Sequence, residues 1–268
     1  MKLYTLVLTV LFAVMIGQIG CAKSRQKMDT PKINMITPEN IHGVIAPDDE
    51  HIWITGNYGV IFHSADGGAS WVQQESGVKE SILVDGVFLD ARTGWVVGIN
   101  GTILHTGDGG STWVKQQTGT KRHLFGIAFA DRLNGWAVGE WSTILHTADG
   151  GLTWTPQAEE ADRLYNNVCF VDRQTGWIVG ERGTVLHTRD GGVTWEEQMP
   201  KDFERHSFED ELLRPRPTLF SVFFIDRQRG WFCGIDATIG RTVDGGATWE
   251  LLPTGIDFTL YTIHIAGG

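Results

Sequence analysis

The sequence predicts an all-β fold of repeated four-stranded antiparallel units, and three observations carry that reading. First, an eight-residue element recurs as Ser64–Trp71, Thr106–Trp113, Thr147–Trp154, Thr188–Trp195 and Thr242–Trp249, its aspartates at 66, 108, 149, 190 and 244. Second, a Gly-Trp pair precedes it in phase, at Gly94-Trp95, Gly135-Trp136, Gly176-Trp177 and Gly230-Trp231. Third, the stretches between are short, rich in β-branched and aromatic residues, and divided by Gly, Asn and Asp turns, which is the pattern of strands and hairpins. The aspartates stand 42, 41, 41 and 54 residues apart. A period of roughly 20–50 residues marks a repeat architecture, and radially repeated four-stranded meanders are the blades of a β-propeller.

The chain opens differently. Residues 1–20 carry one charge, Lys2, ahead of an apolar run from Leu3 to Gly17. That run has the proportions of a secretory signal rather than of a membrane span, which needs about 20 apolar residues. Cys21 follows Ile19-Gly20 and resembles the lipobox cysteine of bacterial lipoproteins, with Gln18 where an aliphatic residue is usual. The expectation is removal of residues 1–20 and lipidation of Cys21. This makes an exported lipoprotein, membrane-anchored and facing the periplasm or cell exterior. Simple secretion is the alternative. Residues 21–39 are polar, include Pro31 and Pro38, and read as a tether.

The propeller is expected over 40–268. Residues 122–158 show the unit: Leu124–Asp131, then Trp136–Gly139, a tight turn at Glu140-Trp141-Ser142, Thr143–Thr147, and Leu152–Gln157. By the same pattern, blades span about 40–75, 80–117, 122–158, 163–198 and 217–252. The interval of 54 is an insertion, Lys201–Pro217. Phe258–Gly268 reads as the first strand of a sixth blade. Either residues of the N-terminal tether pair with that strand, or the chain is part of a longer protein; the second is favoured, the blades then being part of a seven-bladed ring.

The recurring element, S/T-x-D-x-G-x-T-W, resembles the Asp-box or BNR repeat. Joined to GW-x-VG-x-x-GT-I-L-H-T, it is similar to the photosystem II stability/assembly factor-like propellers, over about residues 40–265. The resemblance implies a protein-binding propeller, typically seven-bladed, that holds a partner polypeptide on an arginine-rich surface. The residues themselves point to a structural role for the box. Its aspartate accepts backbone N–H groups of the turn, its glycines allow positive φ, and its tryptophan buries a large area. Asp66, Asp108, Asp149, Asp190 and Asp244 recur once per blade, so they cannot converge on a substrate. The same holds for His63, His105, His146 and His187, which cannot meet at one metal. No metal or cofactor is expected. Cys169 and Cys233 read as buried free thiols.

Function is expected on the opposite face, where the turns between second and third strands meet the blade-to-blade connections. There one turn position reads Tyr58, Asn100, Trp141, Arg182 and Asp236, and the connections bring Arg122, Arg163, Arg214 and Arg216. A position that varies while its neighbours stay fixed is not holding the scaffold, and Trp and Arg dominate interface energetics. The reading is a non-catalytic, lipid-anchored propeller acting as an assembly-factor-like scaffold for a protein or membrane-complex partner. Two alternatives use the same scaffold: a lectin with Trp141 as stacking platform, and a sialidase-like or other glycosidase using Glu140, Glu181 or Asp236. A formal net charge of −10 without a basic stripe argues against nucleic acid.

Overall fold

The computed structural model describes residues 6–7, 40–157, 161–204, 208–213 and 215–265. Five antiparallel sheets of four strands follow one another along the chain, each paired in sequence order. Blade 1 comprises Ile41–Ile45, Ile52–Gly56, Ile61–Ser64 and Val72–Gln74. Blade 2 comprises Leu83–Phe88, Gly94–Gly98, Thr102–Thr106 and Val114–Lys115. Blade 3 comprises Leu124–Phe129, Gly135–Gly139, Ile144–Thr147 and Thr155–Pro156. Blade 4 comprises Tyr165–Phe170, Gly176–Gly180, Val185–Thr188 and Glu196–Glu197. Blade 5 comprises Leu219–Phe224, Gly230–Gly234, Ile239–Thr242 and Glu250–Leu251. The fold is the all-β propeller architecture that the repeats predict.

The core lies between blades, and one aromatic stack is used four times. The second-strand tryptophan of each of blades 1 to 4 is fully buried and stacks on the first-strand phenylalanine of the next blade. The pairs are Trp53–Phe88, Trp95–Phe129, Trp136–Phe170 and Trp177–Phe224, with centroids 3.5–3.7 Å apart. Each phenylalanine meets the Asp-box tryptophan of its own blade edge-on, as Phe129 meets Trp154 at 89°, the geometry that ring quadrupoles favour. On its other side each stacked tryptophan lies against the third-strand histidine, as Trp177 does against His187 at 4.7 Å. The recurring histidines are thus packing partners of the tryptophans.

The same stack accounts for the Gly-Trp pair. A Cβ on Gly94, Gly135, Gly176 or Gly230 would lie 2.4–2.6 Å from ring atoms of the phenylalanine in the same blade. Blade 1 has Ile52 in place of that glycine and Ala46 in place of the phenylalanine, so bulk has moved from one strand to its neighbour.

Two strand expectations change. The fourth strand of blade 3 is Thr155–Pro156, shorter than the expected Leu152–Gln157, because Trp154 turns inward to the Phe129 edge. The expected sixth-blade strand from Phe258 is regular only at His264–Ile265, which pairs with Leu6–Val7; residues 266–268 lie outside the described residues. Even so, 258–263 lie against blade 5 as first strands lie against theirs. Ala237 N–H donates to Phe258 and Leu260 N–H to Gly234, both at 3.0 Å. The insertion after blade 4 forms a 3-10 turn, Lys201–Phe203, and a short helix, Phe208–Leu213, neither of which the repeat pattern signals. Phe203 is buried and plugs the turn at Gly183.

Candidate functional site

The two rims of the blades are built on opposite principles. On the rim carrying the turns between third and fourth strands, every Asp-box closes the same network. In blade 3, Thr147 Oγ1 donates to Asp149 Oδ1 at 2.7 Å, and the Gly151 N–H donates back to Thr147 at 2.8 Å. The Thr153 N–H and Oγ1 donate to the two Asp149 oxygens at 2.9 and 2.6 Å. The Thr153 hydroxyl and amide hold the Asp149 carboxyl down to about 2, as hydrogen bonds to the charged form do. Both box glycines have positive φ in every blade, a conformation glycine adopts without a side-chain clash.

The boxes also lock blade to blade through a residue that the repeat alignment passes over. Three positions after each box tryptophan stands Gln74, Gln116, Gln157 or Gln198. Its amide donates to the first box glycine of the following blade, at Gly109, Gly150, Gly191 and Gly245, over 2.8–3.2 Å. The stacked tryptophan donates to the same carbonyl from Trp95, Trp136 and Trp177, at 3.0–3.1 Å. Trp113 and Trp154 return a hydrogen bond to Gln74 and Gln116. The recurring Asp-Arg pair adds salt bridges between neighbours: Arg132 to Asp90 at 2.6 Å, Arg173 to Asp131, and Arg227 to Asp172 at 2.7 Å. In blade 5 the glutamine position holds Leu252 and the histidine position Arg241. The fixed spacing of the glutamine from the tryptophan was the signal for this clamp.

On the opposite rim the two-residue turns between second and third strands place both central residues at positive φ. The first of the two is Tyr58, Asn100, Trp141, Arg182 or Asp236, at φ of 52–57°. The second is Gly59, Gly101, Ser142, Gly183 or Ala237. Such turns favour Asn-Gly, and only Asn100-Gly101 has it. The left-handed conformation is forced from outside. The second residue's N–H donates to a carbonyl of the following connection in every blade, at Ser81, Arg122, Arg163, Pro217 and Phe258, over 2.7–3.0 Å. Tyr, Trp and Arg therefore sit where they cost on the order of 1 kcal/mol or more, and they point outward: Tyr58 is 66% exposed and Trp141 45%.

Of the expected face residues, Arg122 and Trp141 are brought together, the guanidinium 5.0 Å from the ring centroid in a cation–π contact. Beside them Glu140 accepts the His123 N–H at 2.9 Å, and His123 Nδ1 accepts the Asn100 N–H at 3.1 Å, tying blade 2's turn to blade 3. Tyr58, Arg182 and Asp236 stand on the turns of three separate blades, Arg182 Nε lying 3.9 Å from Glu181. Two of the arginines are drawn into local structure. Arg163 pairs with Glu197 at 3.4 Å, and Arg216 Nε donates to the Phe203 carbonyl at 3.0 Å. Cys21 and Arg214 lie outside the described residues. Cys169 and Cys233 are free thiols, and burial pushes them up to about 11 and about 12.

Comparison with known proteins agrees with this architecture. The family model for the photosynthesis system II assembly factor YCF48 matches residues 77–156 and 113–202. The photosystem II assembly protein Ycf48 of Thermosynechococcus vestitus (strain NIES-2133 / IAM M-273 / BP-1) is 41% identical over 47 residues, 18% of this chain and 14% of that protein. A solved structure of YCF48 bound to D1 peptide superimposes with a TM-score of 0.59 at 20% identity, covering 80% of this chain and 66% of that one. The GH74 xyloglucanase from Xanthomonas campestris shares the fold, with a TM-score of 0.62 at 13% identity over 80% of this chain and 38% of the enzyme. The chain thus matches less than two thirds of the length of either Ycf48 relative. Five in-phase Asp-box blades, and a family match that runs over blades 2 to 4 and the two junctions between them, make this chain similar to the Ycf48-like β-propellers.

Proposed function

We propose that this protein is a non-catalytic binding propeller whose second-to-third-strand turns, centred on Trp141, Arg122 and Arg182, hold a polypeptide partner in the manner of an assembly or stability factor. The carrying observation is the run of bulky side chains kept at positive φ on one rim, Tyr58, Trp141 and Arg182. Strain of that kind, maintained by the hydrogen bonds of the neighbouring connection, points to function. A fold relative solved with a bound peptide supports a protein partner. The candidate carboxylates Glu140, Glu181 and Asp236 stand on three different blades, and Glu140 is engaged by the His123 N–H, which fits binding better than acid–base chemistry. The chain is proposed to act outside the cytoplasm, anchored by lipid at Cys21.

Photo-crosslinkers at positions 141 and 182 should capture the same polypeptide, with none captured from position 193 on the Asp-box rim. Equal capture from both rims, or none from 141 and 182, would overturn the assignment. Cys21→Ser should move the protein from the membrane to the soluble fraction. An exposed indole also suits stacking on a sugar ring. Glycan binding abolished by Trp141→Ala, with no polypeptide captured, would favour a lectin.

A further inference from the structure

The junction between blades 4 and 5 differs from the other three in ways the partner-binding rim does not use. A cleft of about 200 Å³ opens on the Asp-box side, lined by Gln174, Thr175, His187, Arg189, Arg227, Asp244 and Gly245. His187 is 4% exposed, whereas His63, His105 and His146 are half-buried. Its tautomer follows from its neighbours. The Gln198 amide, oriented by its bond to the Gly245 carbonyl, donates to His187 Nδ1 at 3.1 Å. A nitrogen that accepts carries no proton, so the proton of the neutral ring is on Nε2. That buried N–H finds no acceptor among the described residues, and leaving a buried donor unpaired is unfavourable.

Two guanidiniums frame the same cleft. Arg227 is the blade-5 member of the recurring Asp-Arg pair. Arg189 occupies a box position held by Ala65, Gly107 and Ala148 in blades 1 to 3. Among the described residues each pairs with one carboxylate outside the lining, Arg227 Nε with Asp172 and Arg189 Nη1 with Glu196, and a guanidinium has five donors. The lining carboxylate, Asp244, has both oxygens engaged by Thr242 and Thr248 of its own box. The lining therefore offers several N–H donors and two positive groups against one satisfied carboxylate.

We infer that this cleft binds a small oxyanion, a carboxylate or phosphate group, that accepts the His187 Nε2–H and reaches Arg189 and Arg227. Neither the rim carrying Trp141 nor any partner held there takes part.

The test uses the full chain, with the His187 imidazole followed by NMR at constant ionic strength during titration with inorganic phosphate and, separately, with acetate. A saturable shift of His187 with either anion supports the site, and the tighter of the two identifies tetrahedral or planar chemistry. Arg189→Ala, at an exposed position where Ala148 stands in blade 3, should fold normally and weaken binding roughly tenfold. Arg132→Ala, at the blade 2–3 junction, should leave binding unchanged. The inference is overturned by the absence of a saturable His187 shift, by an equal response at His146, or by undiminished binding in a folded Arg189→Ala protein.

Discussion

Both rims of this propeller hold turn residues at positive φ, and they do so with different residues. On the Asp-box rim the positions are Gly67-Gly68, Gly109-Gly110, Gly150-Gly151, Gly191-Gly192 and Gly245-Gly246, and the neighbouring side chains repeat the same hydrogen bonds. On the opposite rim, Tyr58, Asn100, Trp141, Arg182 and Asp236 occupy the same region of backbone space, with a different side chain on every blade. A chain under pressure only to fold would place glycine or asparagine at both rims. The difference teaches that one rim is selected for stability and the other is allowed to lose some.

The comparison breaks first where the box rim meets the core. Trp177→Ala removes the stack on Phe224, the contact with His187 and the hydrogen bond to Gly245. It should cost about 3–5 kcal/mol, read from chemical denaturation, whereas Trp141→Ala on the other rim should cost far less. A similar loss for both would erase the distinction.

Acid is the next probe, and its sign follows from two sets of groups. Burial holds His187 down to about 4, below the usual 6.5, so the unfolded chain binds the proton more readily and stability falls as pH drops from 6.5 toward 4. For His187 this amounts to on the order of 3 kcal/mol, with smaller contributions in the same direction from His63, His105 and His146. The box aspartates act lower. Asp66 and Asp149, held near 2 by serine or threonine donors, contribute stability above 3.8 that is lost as pH falls through about 2. Melting temperature against pH should therefore fall in two stages, and His187→Gln should flatten the upper one.

Gln116→Leu, which copies Leu252 of blade 5 into blade 2, removes the donor to Gly150 and the acceptor of Trp154. A loss of about 1–2 kcal/mol is expected in denaturant melts. No change would mean that the stacked rings alone hold the junction.

The smallest effect has the opposite sign. Arg182→Asn recreates before Gly183 the Asn-Gly turn that blade 2 already has, and should stabilise by roughly 0.5–1 kcal/mol while weakening capture of the partner. A destabilised Arg182→Asn protein would show that the rim is not strained.

Much of the fold was legible because it is local and repeated. The box with its glycines recurs five times and the Gly-Trp pair four, each within a window of a few residues, so the blades can be read by superposing the chain on itself. The clamp was not read, although its glutamine stands at fixed spacing, because its partner carbonyl lies 34 to 47 residues away and is backbone, with no residue signature. The identity of the variable turn residues was visible. Their backbone conformation was not, since Trp141 or Arg182 carries no turn signal of its own and is held in place by a carbonyl of the next connection. Arg163 and Arg216 were grouped with them on residue type, and only geometry shows them held by Glu197 and Phe203.

The clamp has a consequence for how such a chain is made. Each interior blade carries tryptophan and glutamine toward its successor, and phenylalanine and the box glycine toward its predecessor. A gene segment encoding about 41 residues thus specifies a tile whose two sides fit each other. Unequal crossing-over that copies one tile in tandem creates a matched joint at once, with no compensating change elsewhere. Divergence can then fall on the one rim where copies need not agree.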